Sequence, residues 1–261
     1  MPILDRSSLS AVGSTAVSVA VCRAAESARP DRWFFDPLAV YLVEHAVDSL
    51  PPVRPGLVAW ISARTRFLDA VTMEAMEDGV RQIVIVAAGL DARAFRLPLP
   101  ADAVVFEVDR SDIFHVKDEL LEESGLTPRS RRHPVIADIL DPGWLPLLAA
   151  GGWDSRESTL WILEGLLIYL APSQRVQLLA QLAGAGDRGR LGATASTAKG
   201  PMPHPLWQPA PDGDPETWMA SAGWSATTQT MAEASAAFGR PLPATRWTNA
   251  WRLVSATQSD A

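Results

Sequence analysis

Hydrophobic positions along this chain fall into two textures that meet at Gly79. Before it, apolar residues recur at helical spacing: Ala16, Val19, Ala20, the aliphatic stem of Arg23 and Ala24 share one face. Asp36 followed by Pro37 predicts the start of a second helix, a capping residue before a proline in the first turn. Pro51, Pro52 and Pro55 then interrupt the chain, and a third helix is expected from about Leu57 to Asp78, stopped by Gly79. After Gly79 the texture changes to short apolar runs without alternation: Gln82 to Ala87, Ala103 to Val108, His133 to Ala137, Thr159 to Leu163 and Arg190 to Ala195. Such runs suit strands covered on both faces of a parallel sheet. Helical stretches at Ile113 to Glu123 and Pro172 to Ala183 separate them. Strands alternating with helices imply βαβ units and a doubly wound α/β sheet. Toward the end, Pro215 to Ala222 and Met231 to Phe238 read as helices, and Trp224 to Gln229 and Trp247 to Ala256 as an antiparallel edge hairpin. Pro201 to Pro215, with His204, Trp207 and Asp212, is long enough for a lid or substrate loop, or for a plain connection. The expected organisation is one domain over residues 1–261: a helical cap over 1–79, an α/β core over 80–261, and a lid segment at 200–215.

Composition narrows the function classes. The chain has 261 residues, 48% hydrophobic and 20% charged, which is enough apolar material for a large core. A formal charge of −7 leaves no cationic surplus to displace counterions from nucleic acid. Cys22 is the only cysteine, so an internal disulfide is excluded and a cysteine-built metal site is disfavoured. No HExxH, paired-histidine or calcium-loop spacing occurs, and no GxSxG. No apolar run is long enough to span a membrane. Thr15 to Cys22 is apolar, but Asp5 and Arg6 cancel before it and Val21 is too large for a leader cleavage site. It is therefore read as a helix of a cytoplasmic protein. Ten tryptophans could wall an aromatic pocket as well as fill a core.

The stretch with chemical content is Val86 to Leu97, VAAGLDARAFRL, immediately after the first core strand. In open α/β sheets, ligands sit outside the carboxyl ends of the strands, so this turn faces a ligand. Gly89 lets backbone come close to it. The second strand ends in FEVD, placing Asp109 twenty residues after Gly89, where an acid can accept from ribose hydroxyls; Glu107 is the next candidate. A dinucleotide would call for GxGxxG, whereas these positions read Ala87, Gly89 and Ala92, with Asp91 where a pyrophosphate would lie. That negative charge opposes a pyrophosphate. S-adenosylmethionine, a sulfonium and ammonium cation with one carboxylate, tolerates acidic neighbours better. An NAD(P)-dependent oxidoreductase is the rival from this geometry, and a non-catalytic cofactor-binding protein is a third reading.

Several motifs in fixed order extend the case: TAVSVAVCRAAES (Thr15 to Ser27), FFDPLA (Phe34 to Ala39), ARTRFLD (Ala63 to Asp69), AAGLDARAFRL, FEVD, ADILD (Ala137 to Asp141) and EGLLIYL (Glu164 to Leu170). With them the chain resembles the leucine carboxyl methyltransferase-like family of class I S-adenosylmethionine-dependent methyltransferases, including bacterial polyketide O-methyltransferases. The likeness runs from about Ser14 to Ala185. It implies a Rossmann-like sheet, S-adenosyl-L-methionine as cofactor and a small-molecule acceptor. By resemblance, Arg64 pairs with the cofactor's carboxylate, with Arg66 sharing the task or pairing with Asp69. Gly89 lets the methionine part cross the strand end, Asp91 orders the turn, and Asp109 holds the ribose. Asp138 accepts from the adenine amino group, Ile139 and Leu140 flank the ring, and Glu164 lies close to the cofactor's ammonium. The family usually carries glycine where this chain has Ala87. Replacing Asp109 or Glu164 by alanine is expected to weaken cofactor binding and leave the fold intact.

The acceptor is less legible. A phenol benefits from a general base and a carboxylate needs none. The base candidates are Tyr169, close to the fourth strand's end, and His204 in the proline-rich segment; His45, His115 and His133 lie elsewhere. So thin a set leans toward the carboxyl group of a polyketide-like natural product, with a phenolic hydroxyl as the alternative.

Overall fold

A computed structural model describes residues 10, 13–46, 50–186, 188–197, 205–209 and 213–259. His204 and most of the proline-rich segment lie outside the described residues. Three helices come first: α1 (Gly13–Ser27), α2 (Pro37–His45) and α3 (Pro55–Glu77). Asp36 caps α2, its side chain accepting from the Ala39 N–H, as the Asp-Pro pair predicted. The sheet and its helices follow as β1 (Gln82–Val86), α4 (Arg93–Arg96), β2 (Val104–Asp109), α5 (Ser111–Ser124), β3 (Arg131–Ile136), α6 (Trp144–Ala150), β4 (Thr159–Leu163), α7 (Pro172–Ala183), β5 (Gly189–Ser196), α8 (Pro215–Ala220), β6 (Trp224–Thr230), α9 (Met231–Ala237), α10 (Arg246–Ala250) and β7 (Trp251–Gln258).

The seven strands form one sheet in the order β3-β2-β1-β4-β5-β7-β6. The first five pair in parallel; β7 runs antiparallel to both β5 and β6. The two late strands pair antiparallel at the sheet edge as expected, with β7 inserted between β5 and β6 and α9 and α10 in the connection. One boundary differs from the sequence expectation. Residues 247–250 are helical: Thr245 caps α10, its hydroxyl accepting from the Thr248 N–H. Of the apolar runs, those of β1 and β4 are covered along their whole length, whereas β3, expected to be buried on both faces, lies at the sheet edge with only Val135 of the strand buried. One cluster of core residues, including Leu68, Ile83, Ile85 and Ile162, packs under α1, α3 and α5. The other, including Trp144, Trp161, Leu179 and Trp224, packs under α6, α7 and α8. The sheet is thus sandwiched between helical layers, and the order reverses between β1 and β4, the place where such sheets open a crevice at their carboxyl ends. Among the described residues, no helix is long and apolar enough to cross a membrane.

Candidate cofactor and active site

Four strand ends converge on the reversal point, and each brings a turn with unusual backbone or a carboxylate. After β1, Ala87 and Gly89 both adopt left-handed backbone, with φ of 56° and 55°. Glycine enters that region freely and an L-residue with a Cβ does not, so Ala87 carries strain of about 1 kcal/mol. A Cβ on Gly89 would also meet the Ala16 methyl of α1 at 3.2 Å. At the end of β2, Asp109 clasps this turn: Gly89 N–H donates to Oδ2 at 2.6 Å and Arg110 N–H to Oδ1 at 2.8 Å. Each oxygen keeps an acceptor position. Burial raises the carboxyl's pKa, against these two hydrogen bonds, which lower it. After β3, Asp138 is exposed, with Oδ1 accepting from Leu140 N–H, while Ile139 is half-buried against the second core cluster.

Glu164, at the end of β4, is paired within the fold. Its side chain is 4% exposed and lies among three guanidinium groups. Oε1 accepts from Arg23 Nη2 at 2.9 Å, Arg64 Nε at 3.1 Å and the Thr65 hydroxyl at 2.9 Å; Oε2 accepts from Arg93 Nη2 at 2.7 Å. Asp91 is also buried and turned inward, accepting from Arg93 N–H at 2.7 Å and pairing with the Arg93 guanidinium. Asp69 binds Arg93 and Arg96 at 3.0 and 2.6 Å. Burial alone would raise the carboxyl pKa values of Glu164 and Asp91. The arginines outweigh it, holding Glu164 well below the usual range and Asp91 below it as well. Four guanidinia thus face three carboxylates in a nearly dry cluster that ties α1, α3, the β1 turn and the β4 end together.

Glu107 likewise points away from the crevice. It is fully buried on β2, its Oε2 accepting from Lys117 Nζ and Arg132 Nε, each at 2.8 Å. Lys117 also donates to the Asp91 carbonyl at 2.6 Å, so this pair buttresses the β1 turn from behind. Of the acids expected to meet the cofactor, Asp109 and Asp138 keep acceptor positions free of cations, whereas Glu107, Asp91 and Glu164 are committed to cations within the fold.

Arg64 is where the cluster opens outward. Among the described residues, only its Nε has a hydrogen-bond acceptor; the two Nη groups have none. The guanidinium lies over the Trp60 ring, 4.6 Å from its centroid. Gly165, with φ of 73°, lets it come close: a Cβ there would stand 2.9 Å from Nη1. Beyond it lies an aromatic wall, with Trp60 and Trp251 rings 4.5 Å apart and Trp207 edge-on to Trp251 at 5.6 Å. Trp207 belongs to a segment stapled above β4, since Gln208 N–H donates to the Ile168 carbonyl and the buried Arg175 donates to the Gln208 carbonyl. Tyr169 is half-buried in the short turn at Leu167–Tyr169. Arg66 does not pair with Asp69; it stacks on Phe238 at 5.0 Å.

Sequence reasoning missed Arg23, Arg93, Lys117 and Gly165. A signal existed for two of them: Arg23 and Lys117 each occupy the apolar stripe of an otherwise amphipathic helix, a position where a cation needs a buried partner.

A family model described as leucine carboxyl methyltransferase matches residues 16–183. A relative from Parafrankia sp. is 35% identical over 258 residues, covering 89% of this chain and 83% of its own. One from Frankia alni is 35% identical over 276 residues, covering 96% of each. One from Streptomyces coelicolor is 37% identical, covering 89% and 90%. All three are named as S-adenosyl-L-methionine-dependent methyltransferases. Among solved structures, a DUF574 family protein from Streptomyces avermitilis shares the fold at TM-score 0.57 and 16% identity, over 79% of this chain and 86% of that one. A magnesium protoporphyrin IX methyltransferase from Synechocystis with bound S-adenosylmethionine shares it at TM-score 0.51 and 14% identity, over 87% and 98%.

Proposed function

The chain belongs to the leucine carboxyl methyltransferase family of S-adenosylmethionine-dependent methyltransferases, and from that premise we propose that it methylates the carboxylate of a small aromatic, polyketide-like acid. The observation that carries the reading is Arg64. Its Nε is anchored by Glu164 and its two Nη groups form an open fork beside Gly165. A fixed guanidinium fork suits a carboxylate bidentately, here that of the cofactor. Asp109, with acceptor positions left on both oxygens, would hold the ribose hydroxyls, and Asp138 and Ile139 would flank the adenine. Glu164, Asp91 and Glu107 act as positioning residues, fixing Arg64 and the turn from Ala87 to Asp91.

The bound cofactor supplies a methyl group activated by its sulfonium. The protein aligns the acceptor oxygen with that methyl and keeps water out. The partly buried Trp207 and Tyr169, backed by the buried Trp60 and Trp251, would supply apolar surface to an aromatic acceptor. No described histidine serves this region: His45 stacks on Tyr41, His115 pairs with Glu119, and His133 is exposed on β3. A carboxylate acceptor, already ionised at neutral pH, is compatible with that. Two measurements test the reading. Thermal unfolding should shift upward with S-adenosylhomocysteine and not with NAD⁺ or NADPH, by about 2.7 kcal/mol at ~100 times the dissociation constant. Incubation with S-adenosylmethionine and a panel of aromatic acids should give alkali-labile methyl esters. Alkali-stable ethers from phenols alone would move the acceptor to a hydroxyl and make Tyr169 the base to test.

A further inference from the structure

A second cleft, of about 620 Å³, lies away from the crevice, lined by residues of the α1–α2 connection, α3, α4 and the α5–β3 loop. Its origin is topological. The β1 to β2 crossover contains only the four-residue α4, followed by Leu97, Pro98, Leu99 and Pro100, and so covers little of its side of the sheet. Trp33, Phe34 and Phe35 come across from the α1–α2 connection, but space remains between them, Phe95 and Leu126. Those walls are flat and apolar. Phe35 is 49% exposed, which is unusual for a phenylalanine with core within reach.

The floor is cationic and incompletely paired. Arg66 has no hydrogen-bond acceptor or carboxylate among the described residues; its one contact of note is the Phe238 ring. Arg96 lies under the Phe34 ring, with its side chain 6% exposed. Both its Nη groups go to Asp69, yet its buried Nε has no partner. Arg129 stands at the rim, donating to the Arg96 carbonyl. Asp69, the one carboxylate of the lining, is already shared between Arg96 and Arg93. The buried Asp36 carboxylate also lies within electrostatic reach of Arg96, so it is the unpaired Arg66 guanidinium, beside Arg96, that calls for an anion, and the aromatic walls call for a flat one.

We propose that this cleft is a second ligand site taking a planar aromatic monocarboxylate, its carboxylate on Arg66 and Arg96 and its rings against Trp33, Phe34 and Phe35. The volume suits a compound of two or three rings. The inference stands independently of the methyl-transfer reading, because none of these residues belongs to the crevice.

The test is calorimetric titration of the full chain with 2-naphthoate, with and without saturating S-adenosylhomocysteine, and with neutral 2-naphthamide. One site per chain should survive saturation, and the amide should bind at least ~10-fold more weakly. Arg66→Met should weaken that site by ~10-fold or more at an unchanged unfolding midpoint. Phe35→Ala, a change at an exposed side chain, should weaken it several-fold and serves if the first variant does not fold. The proposal is overturned if naphthoate does not bind, if S-adenosylhomocysteine displaces it, if the amide binds equally well, or if both variants bind it at wild-type strength. In that last case the ligand occupies the crevice.

Discussion

Glu164→Gln removes one charge and almost no volume, from a cluster where four guanidinia face three carboxylates. Gln keeps the shape and can accept at one oxygen, but it leaves Arg23, Arg64 and Arg93 with a neutral partner in a dry site. Removing one partner of a buried pair costs about 3–5 kcal/mol, because the remaining charge stays desolvated. For a chain of this size that is a fall in unfolding midpoint of roughly 6–20 °C. The loss should be read by urea unfolding at pH 7, beside Glu119→Gln on the exposed face of α5, which should stay within ~0.5 kcal/mol of wild type. The pH dependence gives a second signature. The folded carboxyl pKa is held far below its unfolded value, so its stabilisation is present above about pH 4.5 and fades only as pH falls toward the folded pKa. Wild type and variant should therefore converge only in strong acid. The expectation drawn from sequence, cofactor affinity lost with the fold intact, now attaches to Asp109 and not to Glu164. A Glu164→Gln protein within ~1 kcal/mol of wild type would refute the account of this residue as a structural anchor.

The other predictions follow from single contacts. Asp109→Ala should stay folded, with a midpoint lowered by the loss of its bonds from Gly89 and Arg110 N–H, and bind S-adenosylhomocysteine at least ~10-fold more weakly, since hydrogen bonds to a charged group contribute about 1.5–3 kcal/mol; equal affinity by calorimetry would remove it from the site. Ala87→Gly relieves a residue at φ 56° and should raise the unfolding midpoint by a few degrees and tighten cofactor binding, whereas a lower midpoint would mean that the methyl's packing outweighs the strain. Burial pushes the Cys22 thiol up to about 11, against the lowering influence of Arg64 and Arg23. Labelling with a thiol reagent at pH 8 should then be slow in the native protein and fast in urea.

Legibility in the sequence followed how local each determinant is. The five parallel strands and the helices between them are spelled by runs of β-branched and apolar residues, and their bounds fall within a few positions of the structure. The position of β7 between β5 and β6 is not local: both late strands carry the same texture, and only packing of the α9–α10 connection decides which lies at the edge. The same split holds at the site. Gly89 and Asp109 are marked by a turn and a strand end, but the hydrogen bond of 2.6 Å that joins them shows only in the structure. Glu164 is conspicuous as a carboxylate in an apolar run, a position that calls for either a paired partner or an opening to a ligand, and in the structure it is paired. What the run could not reveal is that its partners are arginines on three other elements, one of them Arg23, far away in the chain and on a helix face that otherwise reads as core.

That arrangement has a consequence for how the crevice is kept in shape. With α4 only four residues long, the β1 turn has little helix behind it to hold Gly89 and Ala87 in left-handed backbone. The turn is held instead by charge: Arg93 on Asp91, Asp69 and Glu164 from one side, and Lys117 on the Asp91 carbonyl from the other. These bonds are buried, so salt screens them little, unlike surface pairs. High ionic strength should therefore leave cofactor affinity nearly unchanged, while Lys117→Met should weaken it by loosening the turn without touching a ligand-facing group. Affinity for S-adenosylhomocysteine that fell steeply with salt in the wild type, or that ignored Lys117→Met, would mean that the turn is held by its backbone alone and that the ion network serves only the core.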